Sequence, residues 1–232
     1  TEYMKTIPNG MGTWLAVFDN SGDLAGSISQ RPDLMPILSI LEEHGDEIIE
    51  NCDSVILEVD IDKEIVKKVV QLCEKYDKKL YGVVSNMSIA VERRDFLKSF
   101  DCFICNQLEA GIFFADDYSE KTPQELCDIL TERLKVAKIP SMIVTMGAQG
   151  SVYADDQGHC GYCPVQKVTV KDTTGAGDAF CAGAASALTY GKTLAEAVEQ
   201  DFLHLLSPLP RMSARVSSRR SSASTLRDNE RR

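Results

Sequence analysis

The chemistry of this chain is concentrated in one glycine-bearing segment, Asp172 to Phe180, which reads DTTGAGDAF. Alternating apolar residues before it predict a strand at 168–171, and small apolar residues after it predict a buried helix. The segment therefore begins a helix, where unpaired backbone N–H groups and two glycines favour an anion such as a phosphate. Asp178 would repel that phosphate unless the charge is neutralised, and a positioned base is one reason to keep a carboxylate there.

The same segment also has a purely structural interpretation. Asp172 and the two threonines that follow it would form a good N-cap cluster. Two glycines can also mark a close contact between a helix and a sheet without any ligand. A bare Gly-x-Gly pattern favours this interpretation, because short motifs match readily by chance. The choice therefore depends on the other motifs of the chain.

Two further motifs lie at the ends of predicted strands. Asn106 ends a strand and Glu109 lies one turn into the next helix, so Glu109 could order a hydrated magnesium ion near nucleotide phosphates. The simpler interpretation is an Asn cap with an acidic first turn. Thr145, Gly147 and Gly150 form a Thr-x-Gly-x-x-Gly segment, which taken alone is only a tight turn.

The elements that position these motifs alternate along the chain. Strands are predicted at 15–19 and 24–28 as a hairpin, then at 54–59, 80–84, 102–105, 141–145 and 150–154. Helices are predicted at 36–51, after a cap at Asp62, at 89–100, 107–114 and 123–137, after the glycine segment to about 190, and from 193 to about 206. This alternation predicts an α/β domain with a largely parallel sheet and helices on both faces. Ligands of such sheets bind beyond the carboxyl ends of the strands, where all three motifs would gather.

Length and composition predict one globular domain with a C-terminal tail. The 232 residues are 44% hydrophobic and 26% charged. No run approaches the roughly eighteen apolar residues of a membrane span, and the N-terminus is not a signal peptide. Residues 207–232 carry seven Arg, seven Ser and no aromatic residue, so we expect a domain at 1–206 and a disordered tail at 207–232.

Charge and thiol content limit the kinds of binding partner and the cellular compartment that we expect. The tail has a net charge of +5, which leaves the remainder at −15 and argues against nucleic-acid binding by the globular part. Arg219 to Ser222 would suit a basophilic kinase or an RNA contact, although a solvated tail without function is the simpler interpretation. Eight cysteines without a secretory signal predict reduced thiols and a cytoplasmic protein.

The cysteine pairs do not predict a structural metal. Cys102 and Cys105 lie three apart in a strand-like run, so they point to opposite faces and cannot readily chelate one ion. Cys160 and Cys163 lie in a predicted turn and could bind one together. A tetrahedral site built from both pairs would need a geometry that the first pair does not have.

Together the three motifs resemble those of the pfkB family, the ribokinase-like carbohydrate and nucleoside kinases. The family signature reads Asp-Thr-x-Gly-Ala-Gly-Asp, and residues 172–178 match it at every fixed position. The Asn-x-x-Glu and Thr-x-Gly-x-x-Gly segments match in the expected order. The resemblance implies a ribokinase-like three-layer sandwich that transfers a phosphoryl group from ATP, with Mg²⁺, to a hydroxymethyl group of a small sugar or nucleoside. It implies no nucleic-acid or membrane partner, and a homodimer is an open expectation because family members often pair.

The resemblance also implies roles for individual residues. Asp178 would accept the hydroxyl proton as general base, and the N–H groups of Gly175, Ala176 and Gly177 would hold the transferred phosphate. The nucleotide side is implied to consist of Asn106, Glu109, Thr145, Gly147 and Gly150, with Glu109 reaching Mg²⁺ through water. Asp172 and Thr174 would help to bind a monovalent cation, with K⁺ as the candidate.

The three motifs do not identify the acceptor of the phosphoryl group or show whether the domain is complete. Residues 85–90 and the hairpin at 13–28 resemble pseudouridine kinases, including the kinase half of bifunctional pseudouridine-degrading proteins. The first family strands and the last family helices have no counterpart here, so we expect a partial domain at 1–206 with an uncovered sheet edge. The leading hypothesis is a kinase with pseudouridine as acceptor. The alternative is a non-catalytic variant that binds a nucleotide or phosphate as a regulatory module.

Overall fold

The computed structural model describes residues 3–8, 11–18, 24–165 and 175–199. Its strands are β1 Thr13–Phe18, β2 Leu24–Gln30, β3 Ser54–Glu58, β4 Lys79–Val83, β5 Cys102–Asn106, β6 Ser141–Thr145, β7 Ser151–Asp155 and β8 Cys160–Cys163. Its helices are α1 Met35–Glu50, α2 Lys63–Tyr76, α3 Met87–Ala90, α4 Arg94–Leu97, α5 Gln107–Phe114, α6 Pro123–Ala137 and α7 Ala176–Thr189. Residues 194–199 are also helical. The strand predicted at 168–171, Asp172, Thr174 and the tail at 207–232 lie outside the described residues.

Six strands form one sheet in the order β3-β4-β5-β6-β7-β8. Strands β3 to β6 are parallel, whereas β7 and β8 continue the sheet as antiparallel strands. The predicted α/β class with a largely parallel sheet is therefore confirmed. Strand β3 forms one edge of the described sheet, and its Ile56 is 49% exposed. Within the described ranges, no helix is both long and apolar enough to cross a bilayer.

The core lies on both faces of this sheet, as predicted. On one face, α2 and α6 contribute fully buried side chains such as Ile65 and Leu130. On the other face, Phe180 and Ala184 of α7 pack in a cluster with Tyr81. Helix α2 buries the residues whose helical spacing predicted it, Ile65, Val66, Val69, Val70 and Cys73. The sheet is thus the middle layer between two layers of helices.

The β1–β2 hairpin stands apart from the main sheet. Its two strands pair antiparallel, which confirms the predicted strands, while the connecting residues 19–23 lie outside the described chain. Trp14, Leu15, Val17 and Ile28 are all more than half exposed. Two-stranded sheets have little stability of their own, so contacts at the base of the hairpin matter for its position.

The prediction of a single helix at 89–100 is wrong. The segment instead forms α3, one 3₁₀ turn at Val91–Arg93, and α4. Asn86 caps α3, with its Oδ1 accepting a hydrogen bond from Ser88 N at 3.1 Å. The guanidinium of Arg93 donates to Ile61 O at 3.4 Å, and that of Arg94 donates to Phe113 O. Tertiary contacts to neighbouring segments therefore replace a continuous helix whose propensity is only a weak constraint.

The cysteines also differ from prediction. Residues 160–163 form strand β8 rather than a turn, and Cys160 forms a disulfide with Cys127 of α6. The expectation that all thiols are reduced is wrong at this pair. Helix α6 packs against β7 and β8, so the two Cα atoms lie 5.8 Å apart, within the usual range for bridged cysteines. Cys102 and Cys105 belong to the clusters on opposite faces, as predicted, and the described residues hold no group of three or more His, Cys, Asp or Glu able to bind a metal.

Candidate active site

A cavity of about 360 Å³ opens at the carboxyl ends of the parallel strands. Its wall includes Asn106, Glu109, Thr145, Gly177 and Asp178. Asn106 ends β5 and Thr145 ends β6, and these two residues are partners in the sheet register. Helix α7, on one face of the sheet, brings Gly177 and Asp178 to the same cavity. Residues from all three sequence motifs therefore meet where a parallel sheet is expected to bind its ligand.

The Asn-x-x-Glu motif forms a capping box at the start of α5. Asn106 Oδ1 accepts from Glu109 N at 2.8 Å, and Glu109 Oε2 accepts from Asn106 N at 2.8 Å. Burial raises the pKa of Glu109, and the hydrogen bond from the Asn106 backbone opposes that rise. A carboxylate on the wall of this cavity fits the oxygen-rich, hydrated shell that Mg²⁺ prefers.

The start of α7 has the features of an anion site. Gly175 is the N-cap in a left-handed conformation with φ 77°, and α7 has no side-chain cap among the described residues. The first backbone bond within the helix runs from Ala179 N to Gly175 O at 2.9 Å, so earlier N–H groups remain available. A Cβ added at Gly175 or Gly177 would meet no described atom within 4 Å. Among the described residues these two glycines therefore make no close contact with the sheet, and the open space fits a phosphate.

The Thr-x-Gly-x-x-Gly segment divides into a cavity part and a structural part. Thr145 lines the cavity, whereas Gly147 and Gly150 are not among its lining residues. Gly150 has φ 107°, and a Cβ there would lie 2.1 Å from Cys163 O. Its carbonyl accepts from Met146 N at 2.7 Å. Gly150 is therefore required by the close approach of β8, and Gly147, with φ 55°, by the turn itself.

Sequence reasoning missed Glu58 and Ser85, which also line the cavity. Glu58 Oε1 accepts from Ser85 N at 2.7 Å, and Glu58 Oε2 accepts from Ser85 Oγ at 3.1 Å. Burial, with a contact to Asp60, raises the pKa of Glu58 to about 7. A signal was present, because Glu58 ends an apolar strand just as Asn106 ends β5. A polar residue at the carboxyl end of a buried strand is a site candidate in such sheets.

The charge of the cavity is unbalanced. Its described lining contains three carboxyl groups, from Glu58, Glu109 and Asp178, and no Lys, Arg or His. A phosphate bound here would therefore depend on the N-terminus of α7 and on a cation that binds together with the phosphate.

Comparison with known proteins identifies the family. Residues 30–200 match the model of the pfkB family of carbohydrate kinases. The chain belongs to the pfkB family. This confirms the family predicted from the three motifs.

Two relatives of the chain are nucleoside kinases by name. The chain is 35% identical over 195 residues to guanosine-inosine kinase of Exiguobacterium acetylicum, which covers 82% of this chain and 62% of that protein. It is 26% identical over 197 residues to pseudouridine kinase of Escherichia coli, covering 80% of this chain and 58% of that protein. The chain thus spans about three fifths of the length of these two curated relatives. The predicted specific closeness to pseudouridine kinase is not confirmed.

A solved structure of the family has the same fold. Ribokinase of Arabidopsis thaliana, in complex with ribose and ATP, superposes with a TM-score of 0.65 at 20% identity, over 82% of this chain and 60% of that chain. At this identity the likeness supports the fold alone. It confirms the predicted ribokinase-like architecture.

Proposed function

We propose that this pfkB-family chain transfers the γ-phosphoryl group of ATP to a hydroxyl group of a nucleoside or sugar. The observation that carries the proposal is the meeting of Asp178, the open N-terminus of α7 and the Asn106–Glu109 capping box in one cavity. A base, a set of phosphate donors and a magnesium-compatible carboxylate are the parts that this reaction needs.

Asp178 is the proposed general base. Its carboxylate takes the proton of the acceptor hydroxyl, whose oxygen forms a bond to the γ-phosphorus while the bond from that phosphorus to the ADP oxygen breaks. The N–H groups of Gly175, Ala176 and Gly177 hold the transferred group, since the described structure leaves space and unpaired donors there. Asp172 and Thr174, which lie outside the described residues, keep their proposed role toward K⁺.

Glu109 is the proposed outer ligand of Mg²⁺. When bound with ATP, this ion neutralises phosphate charge, which the described cavity lining cannot do without Lys, Arg or His. The capping box fixes the Glu109 carboxylate on the cavity wall through Oε2. Thr145 is the proposed residue that borders the nucleotide, and its position on the cavity wall at the end of the neighbouring strand supports this role. Homodimer formation stays a prediction.

The acceptor that we propose is a nucleoside. Identity is higher with guanosine-inosine kinase, at 35%, than with pseudouridine kinase, at 26%. This difference favours a purine nucleoside and makes pseudouridine the second acceptor to test, ahead of ribose.

The proposal is tested with purified protein, ATP and magnesium against guanosine, inosine, adenosine, pseudouridine and ribose. Asp178→Asn keeps the size of the side chain but removes its basicity, so we expect kcat for the best acceptor to fall about 10²-fold or more. Asp95→Asn is the matched control, because Asp95 is an acidic residue in the first turn of α4 that does not line the cavity. Asp95→Asn is expected to leave kcat unchanged.

Two outcomes would contradict the proposal. An Asp178→Asn variant as active as the wild type would remove Asp178 from the mechanism. A folded wild-type protein that binds ATP but phosphorylates none of the acceptors would favour the non-catalytic, nucleotide-binding alternative.

A further inference from the structure

One disulfide encloses a motif of the proposed nucleotide side. It joins Cys127 of α6 to Cys160 at the start of β8, and the chain between them contains β6, the turn at 146–150 and β7. The other six cysteines of the chain form no disulfide. Where most thiols stay reduced, a disulfide is usually transient and either catalytic or redox-sensing. Neither bridged cysteine lines the described cavity, which favours redox sensing.

Strand β8 depends on this bond more than the other strands of its sheet would. It is the last strand of the described sheet and pairs there with β7 alone. None of its four residues is fully buried, whereas Val152 and Ala154 of β7 are 0% exposed. Apolar burial is the main favourable contribution to folding, so a strand without it relies on its backbone pairing and on the covalent bond to α6.

Strand β8 in turn supports the turn of the Thr-x-Gly-x-x-Gly segment. Cys160 and Tyr162 are two residues apart in the strand, so their side chains point to the same face. Tyr162 Oη donates to Gln149 O at 2.5 Å, and Gly150 packs against the β8 backbone. Thr145, directly before the turn, lines the cavity. A displacement of β8 would therefore reach the cavity wall through the 146–150 turn.

We propose that the disulfide between Cys127 and Cys160 is a redox-sensitive link. In its oxidised form it holds β8, and with it the 146–150 turn, in the geometry that favours ATP binding, and its reduction weakens that binding. Tyr162 is the positioning residue that connects the link to the turn. The effect on ATP rests on the proposed kinase function, but the redox-dependent order of the turn does not.

The reduction is a thiol–disulfide exchange with a dithiol. A thiolate of the reductant attacks Sγ of the partly exposed Cys160, the bond to Cys127 breaks, and the Cys127 sulfur leaves as a thiolate and takes a proton. The second thiolate of the reductant then displaces the Cys160 sulfur, which also takes a proton. Two electrons pass to the protein, giving two cysteine thiols and an oxidised dithiol. A disulfide oxidant reverses the reaction.

The first test follows the turn without nucleotide or catalysis. Hydrogen exchange of the full chain is compared after oxidation with glutathione disulfide and after reduction with dithiothreitol, and mass spectrometry counts the thiols. The amides of Met146, Gln149 and Gly150 are bonded within the turn at 2.7 to 3.1 Å. Reduction is expected to speed their exchange by about tenfold or more.

Helix α2, which packs against α1 and β4, is the internal control for this test. Its exchange should be the same in both redox states. Unchanged exchange of the 146–150 turn in fully reduced protein would overturn the inference. Equal acceleration in α2 would also overturn it, because the disulfide would then stabilise the whole domain and not this turn.

The second test measures the effect on ATP. Reduction should raise KM for ATP about 3- to 10-fold and leave kcat within about twofold, and reoxidation should restore KM. Cys160→Ser cannot form the disulfide and should have the raised KM in both redox states. Cys163→Ser is the matched control, because Cys163 lies on the same strand and forms no disulfide, and it should keep the redox response. A Cys160→Ser variant that still responds like the wild type would overturn the inference.

Tyr162→Phe tests the connection between the disulfide and the turn. It removes only the hydroxyl group that bonds to Gln149 O. Its KM for ATP should already be raised in the oxidised form, and reduction should raise it by less than about twofold more. Tyr190→Phe is the control, because Tyr190 is 75% exposed and does not line the cavity. A full wild-type redox response in Tyr162→Phe would contradict the positioning role.

This inference and the proposed function fail in different ways. If reduction speeds exchange in the turn but no acceptor is phosphorylated, the proposed function fails and the redox-sensitive link stands. If the wild type is an active kinase whose turn does not respond to reduction, the link is excluded and the proposed function stands.

Discussion

Helices α5 and α6 begin with the same hydrogen-bonded motif, yet only one of them contributes to the cavity. In α6, Thr122 N donates to Glu125 Oε2 at 2.9 Å and Glu125 N donates to Thr122 Oγ1 at 3.3 Å, which repeats the arrangement of Asn106 and Glu109 in α5. The pKa values of the two glutamates are shifted in opposite directions. Burial raises the pKa of Glu109, whereas hydrogen bonds from Thr122 lower the pKa of the exposed Glu125.

The difference lies in what precedes each motif. The α5 capping box follows β5 without a break, so it lies at the carboxyl ends of the parallel strands, where ligands bind. The α6 box follows a loop and lies on the surface. A capping box alone therefore indicates only where a helix begins. Its position relative to the sheet determines whether the glutamate can also take part in chemistry.

The strongest test of the difference between the two capping boxes is to neutralise each glutamate in turn. Glu109→Gln is expected to lower kcat/KM for magnesium-ATP by about 10-fold or more, the range typical of residues that order a metal through a second layer of contacts. Glu125→Gln should leave kcat/KM within about twofold, because Glu125 is remote from the cavity. Steady-state kinetics over a range of magnesium concentrations measure both effects. Equal losses in the two variants would mean that Glu109 is only a cap.

Removing the caps themselves should have matched effects on stability. Asn106→Ala and Thr122→Ala each delete the side chain that accepts from the third helical residue, at an expected cost of about 1 kcal/mol in the free energy of unfolding. Urea unfolding of both variants measures this cost. If Asn106→Ala lowers the free energy of unfolding by much less than Thr122→Ala, Asn106 is not an optimal cap. The geometry at the site would then be kept for function at a cost in stability.

The smallest expected effect is on the pH dependence of stability, and it has opposite signs in the two boxes. The folded-state pKa of Glu109 is raised above 4.5, so its contribution is present at low pH and is lost as pH rises through the raised value. The folded-state pKa of Glu125 is lowered, so its contribution is present above 4.5 and is lost as pH falls through the lowered value.

Unfolding free energies of Glu109→Gln and Glu125→Gln, each compared with the wild type across the acidic range, measure these contributions. Curves that slope in the same direction would contradict the opposite environments described for the two carboxylates.

Features that depend on neighbouring residues, and the general class of the sheet, were predictable from the sequence, whereas particular contacts between distant residues were not. The bounds of α5 at 107–114 and the Thr122 cap of α6 were predicted correctly, because both rest on local capping chemistry. The disulfide between Cys127 and Cys160 joins residues 33 apart and follows only from the packing of α6 on the sheet. The ion pair between Arg31 and Asp60 could likewise not be predicted from local sequence, since the two residues lie 29 apart in the chain.

The chemistry of the site was predicted in part for the same reason. Asp178, Asn106 and Glu109 belong to contiguous motifs, so their residue types and spacing identified them. Glu58 and Ser85 lie 27 residues apart and become one unit only when β3 and β4 pair. Residues that act together through strand pairing leave no fixed spacing for a motif to capture.

The strand order also has a consequence for how the chain folds. From β3 to β8 every strand pairs with the strand that follows it in the sequence, so closing each pair requires only the single intervening connection. Contacts of this kind carry a small loop-closure cost and favour fast folding compared with sheets whose neighbours are far apart in the chain. The sheet can therefore grow in one direction, with each newly synthesised strand adding to the edge left by the one before it.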